Sequence, residues 1–438
     1  MFSSLSKISI VWYNIFAFVL GAIAGVAINT FFGSDKDTFD AIIATISPFG
    51  TILVSILKAV VIPIIFFSLI GGASNLPLKK FGNLGTKVVI FYLCTSIFAT
   101  IFGIIVACLM SPSIANAGDV SSPLLAHVEE IKSSTSTDGN VIVNMLISAF
   151  SNPFKALAEA QFLSIIVFAI LFGLAARTVI ESSSIQEHAS VIKMLEVFDG
   201  INKAIFKMIS WLLCYFPVGI FALTAVNFAV YGSALFDSYA DIATCVIVGI
   251  VLMVFFVYPA IVFFFCRENP YKILSKIKEP IITAFATRSS AATLPISLQT
   301  ANDKLGVKPE LSSFSLSLGA TINMDGVCIH LPVFVILATS MFGIDMTIWD
   351  MTLVLFSVVI ASIGVGGVPG GSIFLLFMVL DVLNLTPQQA STIVALALGI
   401  NPLLDMFETA CNVAGDNIGN YVIAKKSNML KEISETNN

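Results

Sequence analysis

The chain has 438 residues, 57% of them apolar and 11% charged, and its mean hydropathy of +0.97 exceeds what a water-facing surface tolerates. Such a chain belongs in lipid. Its net charge of −5 comes with scattered lysines and no basic patch interleaved with aromatics, which excludes a nucleic-acid-binding role.

Ile10 to Val26, Val88 to Met110 and Ala243 to Phe265 carry almost no charge over roughly the 17 to 25 residues a helix needs to cross a bilayer. Bundled helices, not a barrel, are therefore expected. The first apolar run, after Lys7, is as long as a full span and lacks a small-residue cleavage site, so it reads as a retained helix and not a signal peptide. Hydropathy places spans near 8–32, 41–73, 82–110, 161–178, 200–229 and 239–265, with a more broken pattern from about 272 to 424. Ser111 to Asn140 is rich in Ser, Thr, Gly and Asp, lacks periodicity, and reads as an external loop. Basic residues gather at Lys79, Lys80 and Lys87, at Arg177 and Lys193, at Arg267, Lys272, Lys276 and Lys278, and at Lys425, Lys426 and Lys431. These connections are expected on the cytoplasmic side of a cell membrane, with both termini there too. The cysteines (Cys94, Cys108, Cys214, Cys245, Cys266, Cys328 and Cys411) lie in or beside apolar segments without a CxxC spacing and read as free thiols.

The C-terminal third differs, because polar and helix-breaking clusters fall at membrane depth: Thr287 to Ser290, Asn323 to Gly326, Gly364 to Ser372, and Asp405 to Asp416. They form a repeated pair. A small-residue turn ending in Pro295 precedes a helix with Asn323 and Asp325, and a turn around Pro369 precedes a helix with Asn412 and Asp416. Interrupted segments in matching positions of two halves point to an inverted-repeat transporter with its site between them. Broken backbone inside a membrane survives only where protein or a cavity covers it, so the turns predict re-entrant hairpins whose tips meet. Simple loop composition is the plainer alternative.

On the last helix Asp405, Glu408, Thr409, Asn412 and Asp416 fall at i, i+3, i+4, i+7 and i+11, one face of a helix. Each acid at the centre of a membrane helix costs about 2.5 to 3.5 kcal/mol even on mild scales. Arg288 is the only basic side chain in the nearby hairpin and cannot balance Asp325, Asp405, Glu408 and Asp416. Bound inorganic cations and a substrate ammonium group are the expected countercharges. A hydrated crevice or protonated, hydrogen-bonded carboxyls remain as alternatives, as does a cation channel. A hydrolase built on Ser289 or Ser290 with His330 lacks a GxSxG-type elbow, and no enzyme activity is expected.

Thr287-Arg-Ser-Ser-Ala-Ala-Thr-Leu-Pro295, Gly319-Ala-Thr-Ile-Asn-Met-Asp-Gly326, Ala361-Ser-Ile-Gly-Val-Gly-Gly-Val-Pro-Gly370 and Asn412-Val-Ala-Gly-Asp416 occur in that order, alongside Leu57 to Pro63 and Asn152 to Ala158. Together they resemble the signature segments of the dicarboxylate/amino acid:cation symporter family, which includes the glutamate transporters. The resemblance implies an all-α membrane fold of eight transmembrane helices plus two re-entrant helical hairpins in inverted repeats, assembled as a homotrimer. Residues 1–265 would hold six helices, mainly scaffold and trimerisation, with parts joining the transport block. Residues 266–426 would be the transport core and 427–438 a cytoplasmic tail.

The resemblance also implies sodium as coupling ion and no organic cofactor. Gly319, Asn323, Asn412 and Asp416 match one sodium site. Thr321, Ser362, Ile363 and Val365 supply carbonyl positions of a second, and Tyr92, Thr95 and Ser96 with Asn323 and Asp325 match a third. Asp405 and Thr409 match the positions that hold a substrate amino group, and Ser290 and Asn412 those that hold its carboxylate. Ser289, Val327, Val368 and Ser372 complete the substrate-binding set, with Arg288 in support. Members with acidic substrates have arginine where this chain has Glu408, threonine at Val327 and glycine at Ser372. A substrate carboxylate at Glu408 would be repelled by about 4 kcal/mol at 4 Å and an effective dielectric near 20. Asp405-x-x-Glu-Thr-x-x-Asn412 resembles the bacterial sodium:serine/threonine symporter branch, so serine and threonine lead, while the same glutamate would suit a cationic side chain. His330 lies one position before Leu331, where proton- and potassium-coupled relatives have a glutamate, and reads as a hydrogen-bonded structural residue.

Overall fold

The structure, a computed structural model, describes residues 10–74, 82–112, 150–159, 162–182, 185–212, 214–363, 370–383 and 385–431. Most of the expected external loop, from residue 113 on, lies outside them, as do Val365 and Val368. Among the described residues the architecture is helical, with one isolated bridge between Val307 and Leu430.

The first three apolar runs become α1 (Ile10–Phe32), α2 (Lys36–Ser74) and α3 (Gly82–Met110). After α4 (Pro153–Glu159), the run at 161–178 forms α5 (Phe162–Ser182). The run expected as one span at 200–229 is divided instead into α6 (Ile185–Leu212) and α7 (Phe216–Tyr231). Pro217, in the first turn of α7, has no amide to donate, and its ring obstructs the preceding turn. The chain crosses the break on tight turns, with Cys214 N donating to Trp211 O at 3.1 Å and Tyr215 N to Leu212 O at 2.9 Å.

The run at 239–265 is α8 (Ala234–Leu252) and α9 (Tyr258–Cys266), joined by a π-helical turn at Met253–Val257. Pro259 explains the turn, since widening the helix keeps its ring off the carbonyl four residues back. That carbonyl, Phe255 O, accepts from the Tyr271 hydroxyl at 3.2 Å.

Two pairs of successive helices follow. In the first, α10 (Pro270–Lys276) and α11 (Lys278–Thr287) lead to a reversal at Arg288, left-handed at φ 54°, and α12 (Ser290–Asp303) returns against α11. Ser289 caps α12 by accepting from Ala292 N at 3.2 Å. In the second, α15 (Ile348–Ile363) packs on α16 (Gly371–Asp381). Between them α13 (Pro309–Ile322) and α14 (Asp325–Phe342) form one interrupted rod, and α17 (Pro387–Lys426) closes the chain.

Packing sorts these elements. α1 lies on α7, and α2 on α5, α6 and α7. Gly21 allows the close approach of α1, where a side-chain carbon would meet Phe221 O at 2.7 Å. α3 packs instead on α14, where Gly103 leaves room for the Ile329 backbone, and α8 packs on α14 and α17. Among the described residues, five helical stretches are long and apolar enough to cross a membrane: Tyr13–Phe32, Leu84–Met110, Leu235–Cys266, Pro309–Phe342 and Gln389–Lys426.

Candidate functional site

The α13–α14 rod breaks where the sequence clusters polar residues. Asn323 (φ −110°, ψ 79°) and Met324 (φ −109°, ψ 63°) leave helical geometry, which frees backbone groups in the protein interior. Asn323 donates from Nδ2 to Asp416 Oδ1 at 3.0 Å, and its Oδ1 accepts from Thr95 Oγ1 at 3.1 Å. Asp325 accepts from Ser96 Oγ at 3.3 Å and from the Tyr258 hydroxyl at 2.8 Å. Asn412 Oδ1 accepts from Gly326 N at 2.7 Å. Tyr92 donates to Ser315 O at 3.0 Å. Gly319 has no side chain because the Asp416 carboxylate occupies that space, with the Tyr92 hydroxyl 2.9 Å from where a Cβ would stand.

Tyr92, Thr95, Ser96, Gly319, Asn323, Asp325, Asn412 and Asp416, predicted from three separate segments, thus meet in one buried cluster. Asp325 and Asp416 are 0% and 3% exposed, and their hydrogen-bond partners Ser96, Tyr258 and Asn323 are uncharged. Carboxylate, amide and hydroxyl oxygens beside freed carbonyls form a hard-cation donor set. Of the other predicted ion residues, the Thr321 hydroxyl bonds Leu318 O at 2.8 Å and the Ser362 hydroxyl bonds Val359 O at 2.7 Å. Both are turned onto their own helices, on α13 and α15, which touch one another.

Asp405 of α17 meets both helix pairs. Its Oδ2 accepts from Gly370 N at 3.0 Å and lies 3.6 Å from Arg288 Nε. Gly370 sits at φ 74°, a left-handed conformation suited to glycine, so the start of α16 aims an amide at the acid. The Thr409 hydroxyl bonds Asp405 O at 2.8 Å. Ser289 serves as a cap, Ser290 and Val327 are buried, and the buried Ser372 hydroxyl has no hydrogen-bond partner among the described residues.

Glu408 changes the count of countercharges made from sequence. His330 Nδ1 lies 2.6 Å from Glu408 Oε2, both side chains buried, so Arg288 is not the only basic group available to the acids. The expected hydrogen bond of His330 is present, and its partner is an acid of the site. Tyr258 was also missed, because it stands in an apolar run with no polar neighbour to mark it. Asn420, which accepts from the Ser315 hydroxyl at 2.7 Å, and Asn417, which donates to Ser297 at 3.3 Å, were within reach of sequence reasoning. They simply extend the polar stretch of α17 past Asp416.

Interrupted apolar helices that converge on a buried, acid-rich point fit a solute transporter. Residues 10–426 match the sodium:dicarboxylate symporter family, and the chain belongs to that family. It is 30% identical to the neutral amino acid transporter B(0) of Bos taurus, over 92% of this chain and 78% of that protein. It is also 30% identical to a serine/threonine transporter of Acinetobacter baumannii (strain AYE), over 95% of this chain and 96% of the relative. The neutral amino acid transporter B(0) of Homo sapiens is 29% identical over 85% of this chain and 73% of its own length.

Proposed function

We propose that this protein is a sodium-coupled symporter that takes up small neutral amino acids, serine and threonine foremost, by alternating access. One observation carries the reading: Asp325 and Asp416 are buried with uncharged hydrogen-bond partners, an arrangement that a bound cation completes. Sodium is supported as that cation by the family to which the chain belongs. The neutral substrate is supported by Glu408 at the position where acidic-substrate members carry arginine, and by relatives named for serine/threonine and neutral amino acids.

In this reading sodium and amino acid bind between the hairpin tips. Asp405 and Thr409 take the ammonium group, Ser290 and Asn412 the carboxylate, and Ser372, Val327, Val368 and Glu408 face the side chain. Sodium uses Asp416, Asn323, Asn412 and Gly319, with a second position at Thr321, Ser362, Ile363 and Val365 and a third at Tyr92, Thr95, Ser96 and Asp325. The second hairpin closes over the pair, and residues 266–426 move against a scaffold built mainly from residues 1–265. The protein works as a homotrimer of eight-span, two-hairpin subunits in the cell membrane, with both termini in the cytoplasm.

The test is uptake of labelled serine into proteoliposomes under an imposed sodium gradient, with choline replacement and competition by serine, lysine and aspartate. Sodium-dependent, concentrative uptake blocked by serine alone is expected. Potent block by aspartate contradicts the neutral-substrate reading, and sodium-independent flux favours a channel. Asp405→Asn is expected to abolish uptake, and near-normal transport in that variant removes the ammonium contact.

A further inference from the structure

The pairing of His330 with Glu408 goes beyond the neutral amino acid reading while resting on it. α14 meets α17 along one face. Gly326 opens that contact, because a Cβ there would collide with the Glu408 backbone. One turn later on the same face stands His330, and one turn further Phe334. His330 Nδ1 is 2.6 Å from Glu408 Oε2, with the side chains 1% and 3% exposed. The imidazole lies edge-on to Phe334, ring centres 5.1 Å apart at 67°. Its Nε2 is buried without a hydrogen-bond partner among the described residues, so Glu408 is the polar group that orients the ring.

A lone carboxylate at this place would carry the cost of burial and the repulsion of Asp405, three residues earlier on the same helix. Arg288 gives no relief, since it faces Asp405. A proton held within the pair removes both penalties. Whether written as imidazolium with carboxylate or imidazole with carboxylic acid, the pair is uncharged. A neutral pair still offers a hydroxyl a hydrogen bond. It gives an ammonium side chain no net countercharge, and a carboxylate side chain no cation.

We infer that His330 is a specificity-determining positioning residue, which holds Glu408 in a net-neutral pair and so makes the site refuse lysine- and ornithine-type side chains that a free glutamate would attract. Competition by lysine against sodium-driven uptake of labelled serine tests this in the wild type, in H330Q and in the double variant E408Q/H330Q. Lysine is expected to compete poorly in the wild type and to gain roughly tenfold or more in apparent affinity in H330Q, where the glutamate stands alone. The gain is expected to vanish in E408Q/H330Q. A merely structural histidine would lower yield and thermal stability without moving the lysine-to-serine ratio, and the second substitution would not reverse it. H330N stands in if H330Q is not recovered folded. Serine uptake in the wild type with an unchanged lysine response in the histidine variants overturns the inference alone, as does strong lysine competition in the wild type. A wild type without sodium-dependent serine uptake overturns the functional reading, and the inference with it.

Discussion

At Gly319 the absence of a side chain is a requirement of the site. The Asp416 carboxylate fills the volume a Cβ would take, and the Tyr92 hydroxyl stands 2.9 Å from it. Neither can retreat easily, because Asp416 is hydrogen-bonded to Asn323 and Tyr92 to Ser315 O. Gly319→Ala is therefore expected to displace the acid as well as to overpack the cluster, a cost of about 1–3 kcal/mol. In purified protein the variant should lose most of the thermal stabilisation that sodium gives the wild type; an undiminished sodium response would show that Asp416 does not hold the ion. The cluster was legible in sequence because its members are polar where lipid-facing helices cannot be, so Asn323, Asp325, Asn412 and Asp416 announce themselves. Tyr258 and the Glu408–His330 pair were not legible in this way. A tyrosine ring is at home in an apolar run, and a pairing between helices 78 residues apart depends on how α14 turns against α17, which no local pattern encodes.

Among the elements, breaks were easier to locate than their consequences. Polar residues marked the interruption of α13 and α14, and Ser289 the reversal between α11 and α12, whereas the division at Pro217 lay hidden in a continuous apolar run. One inter-element latch was equally hidden. Glu268, in the turn between α9 and α10, accepts from Lys425 Nζ at 2.6 Å and from the Tyr421 hydroxyl near the end of α17. Burial pushes the Glu268 carboxyl up, but the hydrogen bonds from Lys425 and Tyr421 outweigh it and hold its pKa below the ordinary glutamate value. A lowered folded-state pKa contributes stability that is full above the unfolded value, about 4.3, and is lost as pH falls through the lowered one. The lysine and glutamate side chains are 41% and 33% exposed, so solvent screens the pair and its contribution is about 0.2–1 kcal/mol. Glu268→Gln should lower the melting temperature slightly at neutral pH and flatten its fall below about pH 4.3. Equal acid sensitivity in variant and wild type would remove the latch from the account.

At the scale of the whole molecule, the cluster draws on chain segments that lie far apart in sequence: Tyr92, Thr95 and Ser96 on α3, Tyr258 on α9, Asn323 and Asp325 at the α13–α14 break, and Asn412 and Asp416 on α17. An ion bound there ties four elements to one point, and unfolding must release it. Ligand that binds only the folded state stabilises it by RT ln(1 + [L]/Kd), about 2.7 kcal/mol at a hundredfold excess over Kd. Replacing sodium by choline in detergent-solubilised protein should therefore lower the unfolding temperature, and serine should raise it only when sodium is present, since the sites proposed for the cation and the substrate ammonium share α17. Asp416→Asn should remove a large part of the sodium response and, through it, the serine response, whereas Asp405→Asn should abolish the serine response and leave that to sodium largely intact. Were both variants to lose both responses equally, the ion and the amino acid would have to occupy one undivided site, and the separation of Asp416 from Asp405 along α17 would not correspond to separate duties.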